Sequence, residues 1–344
     1  MPIRLPRYPY QPKFKHALRN AAPVLIVLAM LAAPICEAQT LASPSMQAQA
    51  TVATQGDPVD QGASSSAEDA VEPVPNAPLT KPEIFSIPVA HEGLFGSDVE
   101  MVTLVYKPAG PGPFPVVIYS HGRSGSPAVR ARLRLPISQV QIDYWLEKNF
   151  AVVAPIRVGY GKTHGPDVEA HGSSSGHNSQ PDYTRTAGAA STAILATLAW
   201  VRTQPWVDGH RMILEGQSVG GLGTVTAAAT RPEGVVGYIN FGGGAGGDPD
   251  RSPGRSNDPE QLTKLYSDFG KQTVMPNLWV YAVNDQYWGP DVPVAWHDGF
   301  AAGGSPSEFI HAPAVADGDG HGLSHHARQY WAPYVDAFLH RLGF

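Results

Sequence analysis

Cysteine is nearly absent: Cys36 is the only one in 344 residues. Beyond that position the chain cannot build a disulfide framework, ligate zinc through thiolates or use a thiol nucleophile. A basic excess is also missing. The net charge of −6 and pI near 6.1 exclude the electrostatic footprint of a nucleic-acid-binding protein. The one long apolar run, Ala21 to Ala33, contains Pro23 and is followed by Pro34, so no stable membrane span is expected. Metal hydrolysis lacks its usual motifs. No HExxH occurs, and an EF-hand register begun at Asp317 would put His321 and Arg328 where oxygen ligands belong, so neither a metal nor another cofactor is expected.

What is present falls into three zones. Residues 1–38 read as an export signal, with Arg4, Arg7, Lys13, Lys15 and Arg19 ahead of the apolar run and Cys36-Glu37-Ala38 as a cleavage site. A periplasmic or secreted location is the expectation, with an uncleaved anchor as the alternative. Residues 39–81 are rich in Ala, Ser, Gln, Thr and Pro and lack aromatics, so they read as a disordered linker. Residues 82–344 carry the texture of one catalytic domain, and a hydrophobic content of 42% is ample for its core.

Within this domain, Ile84 to Val89 and Val99 to Tyr106 read as leading antiparallel strands. Phe114 to Ser120 is a continuous apolar run with no alternation, as expected of a strand buried on both faces. A helical stripe from Arg134 to Asn149 and a buried strand from Phe150 to Pro155 then begin a β-α-β alternation. Residues 160–182 are Gly-, Ser- and His-rich and read as an excursion over the sheet edge. A helix from Tyr183 to Thr203, strands at Val235 to Phe241, Asn277 to Val283 and Ser307 to Ala312, and a last helix at about Ala327 to Leu342 complete an α/β pattern. Such alternation requires a mostly parallel sheet with right-handed crossovers and helices on both faces.

Arg211 to Arg231 is the centre of this pattern: an apolar strand, then Gly216-Gln217-Ser218-Val219-Gly220, then small helix-forming residues. G-x-S-x-G places a serine on a strained strand-to-helix turn, and glycines two positions either side avoid collisions of the folded-back chain. The pattern alone is weak, at roughly 0.25 chance matches in a chain of this composition. Gly172-Ser173-Ser174-Ser175-Gly176 also satisfies it, without a preceding strand or following helix, and reads as a loop.

A serine hydroxyl needs a base and a carboxylate that orients the base. Asp285 directly follows the strand ending at Val283 and is the candidate acid, with Asp291 in reserve behind Gly289-Pro290. His321, in the loop Asp317-Gly318-Asp319-Gly320-His321-Gly322, is the candidate base. His325 and His326 fall at the start of the final helix, and His311 reads as a packed strand residue. The oxyanion donors are expected to be the backbone N–H of Val219 at the helix N-terminus and that of Arg123 in His121-Gly122-Arg123-Ser124-Gly125. The Arg123 side chain either reads a substrate carboxylate or, more commonly for an arginine, points to solvent. Tyr160, Tyr183, Tyr287 and Trp288 are candidates for a substrate pocket or for rim packing.

Together, S-H-G-x-x-G, G-x-S-x-G-G, an N-D after a strand and a late G-H-G resemble the α/β-hydrolase superfamily, and more narrowly its dienelactone-hydrolase-like branch, over roughly Ile84 to Phe344. The chain departs from cysteine-nucleophile members of that branch, because Ser218 holds the nucleophile position. The resemblance implies an α/β-hydrolase fold and a serine hydrolase that cleaves a small-molecule carboxylic ester through an acyl-enzyme. Amide or peptide cleavage by the same residues is the alternative. A non-catalytic envelope binding protein on this fold is the alternative of another class.

Overall fold

The computed structural model describes residues 81–90, 99–170, 180–316 and 318–344. The expected export signal, almost all of the expected linker, the second G-x-S-x-G match and Asp317 lie outside the described residues. In chain order the elements are β1 (Glu83–Val89), β2 (Val99–Tyr106), β3 (Phe114–Ser120), α1 (Pro127–Arg132), α2 (Gln139–Glu147), β4 (Ala151–Pro155), α3 (Tyr183–Val201), β5 (Val207–Gln217) and α4 (Val219–Ala229). They continue with β6 (Val235–Phe241), α5 (Pro259–Gly270), β7 (Asn277–Ala282), α6 (Val292–Ala301), β8 (Ser307–Ala312), α7 (Leu323–His326) and α8 (Arg328–Arg341).

The eight strands form one sheet in the order β1-β2-β4-β3-β5-β6-β7-β8. Only the β1–β2 and β2–β4 pairs are antiparallel, and every pair from β4 to β8 is parallel. The alternation of side chains along a strand explains why the central strands read as unbroken apolar runs. In β3, Val116 and Ile118 enter a core with α3, α4, α5 and α6, while Val117 and Tyr119 enter a second core with α2 and α8. In β5, Met212 and Leu214 join the first core, and Ile213 joins the second. Both faces of the central strands β3 and β5 are therefore packed.

The helix expected over Arg134 to Asn149 begins later, at Gln139. Ser138 is extended (φ −76°, ψ 153°) and its Oγ accepts from Gln141 N, so the N-cap and not Pro136 sets the start. Upstream, Ser126 caps α1 and Pro127 occupies its first turn, a start signal that the Ser-Pro pair carried in the sequence. A turn at Gly161–Thr163 folds back on β4, with Thr163 Oγ1 donating to Ile156 O and accepting from Val102 N at 3.0 Å. Residues 171–179 of the expected excursion lie outside the described residues. Among the described residues no helix is long and apolar enough to cross a membrane.

One carboxylate sits inside the second core. Glu215, on β5, is 1% exposed and accepts from Gln141 Nε2 at 2.5 Å and Trp145 Nε1 at 2.6 Å. Burial pushes its pKa up to about 7, against the lowering effect of the two donors. A raised folded-state pKa means that the native chain holds the proton more tightly than the unfolded chain does. Stability is therefore fullest below the unfolded value of about 4.3, falls as pH rises toward 7, and levels off above it. The expected outcome is a thermal midpoint that drops between pH 5 and pH 8 by more in the native protein than in Glu215→Gln. Parallel pH profiles of the two proteins would reject this assignment.

Candidate active site

β5 ends at Gln217 and α4 begins at Val219, which leaves Ser218 alone to turn the chain. It does so at φ 56°, ψ −126°, a costly conformation for a residue with a Cβ that only a fixed surrounding can maintain. The surrounding is backbone. A Cβ at Gly220 would overlap the Ser120 carbonyl oxygen, and one at Gly216 would overlap the Gly220 carbonyl. Ser218 N donates to Phe241 O at 3.0 Å, and Gly244 N donates to Ser218 O at 3.2 Å. Ser218 is 6% exposed. Val219 opens α4, so its N–H is among the four that no intrahelical carbonyl accepts.

The loop after β7 brings Asp285 to the same sheet end. Its Oδ1 accepts from Tyr287 N at 2.8 Å and Trp288 N at 3.2 Å, which leaves Oδ2 to take Nδ1–H of His321 at 2.9 Å. Asp285 is 2% exposed and His321 9%. The reserve acid, Asp291, is exposed at the N-terminus of α6 and makes no such contact. Tyr287 stacks on the His321 ring, with centroids 4.0 Å apart and planes at 24°, and Trp288 meets it edge-on at 5.4 Å. Gly242, at φ 51°, passes over the Asp–His contact: a Cβ there would lie 3.4 Å from His321 Nδ1 and 3.5 Å from Asp285 Oδ2.

Three further residues join these loops, and the sequence reading missed their roles. Gln217, an unspecified position of the motif, donates from Nε2 to His321 O at 3.1 Å. Asp319 Oδ1 accepts from His321 N at 2.9 Å and from Gln286 N at 2.8 Å, so one carboxylate holds both the acid and the histidine loops. Asn284 donates to Val315 O and Gly318 O and accepts from Val315 N. The signal available was positional: Asn284 and Asp319 each directly neighbour, or nearly so, a candidate catalytic residue.

The loop after β3 lies against the elbow. A Cβ at Gly122 would meet Gln217 Oε1, and Ser218 Cβ at 3.3 Å. His121 donates from Nδ1 to Gly122 O at 2.7 Å and accepts from Arg157 N at 3.2 Å. Burial and the neighbouring Arg157 charge hold its pKa well below the ordinary value, so it is a neutral structural imidazole. The Arg123 side chain neither points to solvent nor lies open to a ligand: Nη2 pairs with Asp167 Oδ2 at 2.7 Å, which also takes Arg130 Nη2 at 3.0 Å.

The aromatic candidates separate. Tyr287 and Trp288 flank His321. Tyr160 is 3% exposed, donates to Glu169 Oε2 at 2.8 Å and packs against His121, so its hydroxyl is consumed internally. Tyr183 is fully buried at the start of α3 and donates to Asn257 O. His325 and His326 end α7 and precede α8, and His311, expected to be packed, is exposed on β8. A serine–histidine pair elsewhere in the fold, His297 Nε2 with Ser307 Oγ at 2.8 Å, has the wrong polarity for catalysis. Ser307 donates its hydroxyl proton to Asn277 Oδ1 at 2.6 Å, which leaves the histidine as donor.

A mostly parallel eight-stranded sheet with antiparallel leading strands, a serine elbow between its fifth strand and the next helix, and an Asp and a His on later loops define an α/β-hydrolase fold. Several solved structures match part of the chain. An acylaminoacyl peptidase from Pyrococcus horikoshii is 14% identical, with 77% of this chain and 42% of that chain covered and a TM-score of 0.48. A puromycin-hydrolyzing peptidase from Mycobacterium tuberculosis is 15% identical, with coverages of 76% and 40% and a TM-score of 0.47. An esterase from Pyrococcus furiosus is 15% identical, with coverages of 75% and 92% and a TM-score of 0.46. The chain thus spans about two-fifths of the length of the two peptidases. No protein-family model and no curated protein matches the sequence.

Asp319→Ala removes an acceptor of two backbone N–H groups, and each such charge-assisted bond is worth about 1.5–3 kcal/mol. A loss of about 2 kcal/mol in urea unfolding is expected, with Asp319→Asn recovering roughly half through its retained carbonyl oxygen. Equal stability of the native protein and Asp319→Ala would show that the carboxylate does not tie the two loops.

Proposed function

We propose that the protein is a serine hydrolase that cleaves small carboxylic esters. The observation that carries this reading is the contact of Asp285 Oδ2 with His321 Nδ1, on loops converging at the sheet end where Ser218 occupies its strained turn. Asp285 fixes the tautomer with the proton on Nδ1, which leaves Nε2 as the basic nitrogen. His321 then takes the Ser218 hydroxyl proton as Oγ attacks the ester carbonyl. The N–H groups of Val219 and Arg123 receive the developing oxyanion, and the tetrahedral intermediate collapses to an acyl-Ser218 as His321 protonates the departing alcohol. Water, deprotonated by His321, releases the acid and restores the serine. Tyr287, stacked on the imidazole, offers a π face to the imidazolium that forms in both steps.

Export is part of the proposal, supported by the basic and apolar segments of residues 1–38. Expression with the full leader should yield a periplasmic or secreted product that begins near Gln39 by N-terminal sequencing. A cytoplasmic product that keeps Met1 would refute it.

Labelling with a fluorophosphonate and turnover of p-nitrophenyl esters of graded acyl length test the chemistry. Ser218→Ala should abolish labelling and lower kcat by about 10⁴-fold or more, Asp285→Asn should lower kcat by about 10⁴-fold, and Asp291→Asn should leave it near the native value. Faster cleavage of matched amides would make the enzyme an amidase or peptidase. Folded protein that is neither labelled nor active would be a binding protein instead.

A further inference from the structure

Arg157 is a charge buried beside the site for which acyl transfer as described has no role. It lies two residues past β4, 1% exposed, against Glu169, which is also 1% exposed. All five of its donors are used. Nε donates to Glu169 Oε1 at 2.5 Å and Nη2 to Glu169 Oε2 at 3.1 Å. Nη1 donates to Ser120 Oγ at 3.0 Å and to the His121 carbonyl, and Nη2 donates to the Gly122 carbonyl at 3.2 Å. β3 and β4 pair in parallel, Ile118 against Val153, and beyond their ends Arg157 lies alongside His121 and Gly122, with Arg157 N donating to His121 Nε2.

We infer that Arg157 is the positioning residue of the oxyanion hole: its guanidinium holds two successive carbonyls and so aims the amides behind them at the carbonyl that Ser218 attacks. This rests on the acyl-transfer reading. The physical step is the planarity of the peptide. The His121–Gly122 and Gly122–Arg123 units are trans, so each N–H points opposite to its own C=O. Drawing the His121 and Gly122 oxygens onto Arg157 turns the Gly122 and Arg123 N–H groups away from it, while Gly122 itself abuts Ser218. Glu169 fixes the fork from the other side, and it is held in turn by Tyr160 Oη and, through its carbonyl, by Thr186 Oγ1. A lysine cannot replace this device, because a point charge with three donors does not span two carbonyls and a carboxylate in one plane.

The test compares the native enzyme with Arg157→Lys on an ester substrate, well below the unfolding midpoint of either. Misaimed donors predict a fall in kcat of about 10²-fold with KM within about threefold, since an error near 1 Å in placement costs about that much. A trifluoromethyl ketone, whose adduct with Ser218 carries the oxyanion, should bind more weakly by the same factor as kcat/KM falls. Glu169→Gln, which frees one side of the fork, should show the same pattern at about tenfold, and it decides the matter if Arg157→Lys does not fold. A folded variant with native kcat, or with lowered kcat and undiminished ketone affinity, overturns the inference and leaves a purely structural ion pair. The amide ¹H–¹⁵N resonances of Gly122 and Arg123 give an arm that needs no turnover. They should move and exchange faster in Arg157→Lys, and unchanged resonances overturn the aiming role. If those amides move but the native protein hydrolyses neither esters nor amides, the proposed reaction fails and the aiming of the loop stands.

Discussion

The approach of α4 to the end of β3, where Gly220 meets the Ser120 carbonyl without room for a side chain, is the constraint on which the site depends. It compresses the turn at Ser218 into a positive φ and lifts the serine out of the sheet. It also seats the loop that begins at His121 against Ser218, so the glycines of the elbow serve two parts of the site at once. The strain is affordable because rigid elements surround it: β5 lies between β3 and β6, and both faces of all three strands are packed.

From that point the site is assembled by polar bonds among four loop ends. Gln217 ties the elbow to the backbone of His321, Asp319 ties His321 to Gln286, and Trp288 Nε1 donates to Gly242 O, which fixes the strip of backbone over the Asp–His contact. The pieces come from β5, β6, β7 and the segment after β8, far apart in sequence. Parallel strands make this possible, because their C-terminal ends open on one edge of the sheet. A side chain that bonds two backbone groups of different loops fixes their relative position better than a contact between two mobile side chains would, since the backbone groups have little freedom left to lose.

The sheet was legible because its strands are buried on both faces. Runs such as Phe114 to Ser120 and Val235 to Phe241 stand out without alternation, and Gly or Pro punctuates their ends. Asp285 was read as a residue just past a strand and His321 as one in the loop between the last strand and the last helix, and the structure brings them to 2.9 Å; Ser218 was read as the residue at a glycine-flanked turn, where the chain takes a positive φ. What escaped notice were polar residues whose partners are backbone atoms elsewhere in the chain. Gln217, Asp319 and Glu169 bear no mark in sequence of the carbonyl, amide or guanidinium they meet. Tyr160 was read as lining a substrate pocket or packing at its rim, and the turn at Gly161–Thr163 folds it inward. Glu215 offered a clue that was open to reading: a lone carboxylate in the apolar run MILEG must find donors inside the core.

Glu215, within β5, and the Arg157–Glu169 pair, in the segment after β4, show two ways of burying charge. Glu215 meets only neutral donors, so burial raises its pKa and the core can take it as the acid. Arginine has no such exit, since its guanidinium stays protonated, and its burial costs several kcal/mol that pairing with a carboxylate repays only when every donor is matched. For stability alone, apolar residues of similar volume would serve as well or better at 157 and 169. An apolar pair could not grip two consecutive carbonyls, however, and those carbonyls belong to the loop that faces Ser218. The buried charge is thus better explained by the orientation it imposes on backbone dipoles than by the energy it contributes to the fold. A preorganised site requires that kind of constraint, because donors that must reorient during the reaction lose part of the stabilisation they offer.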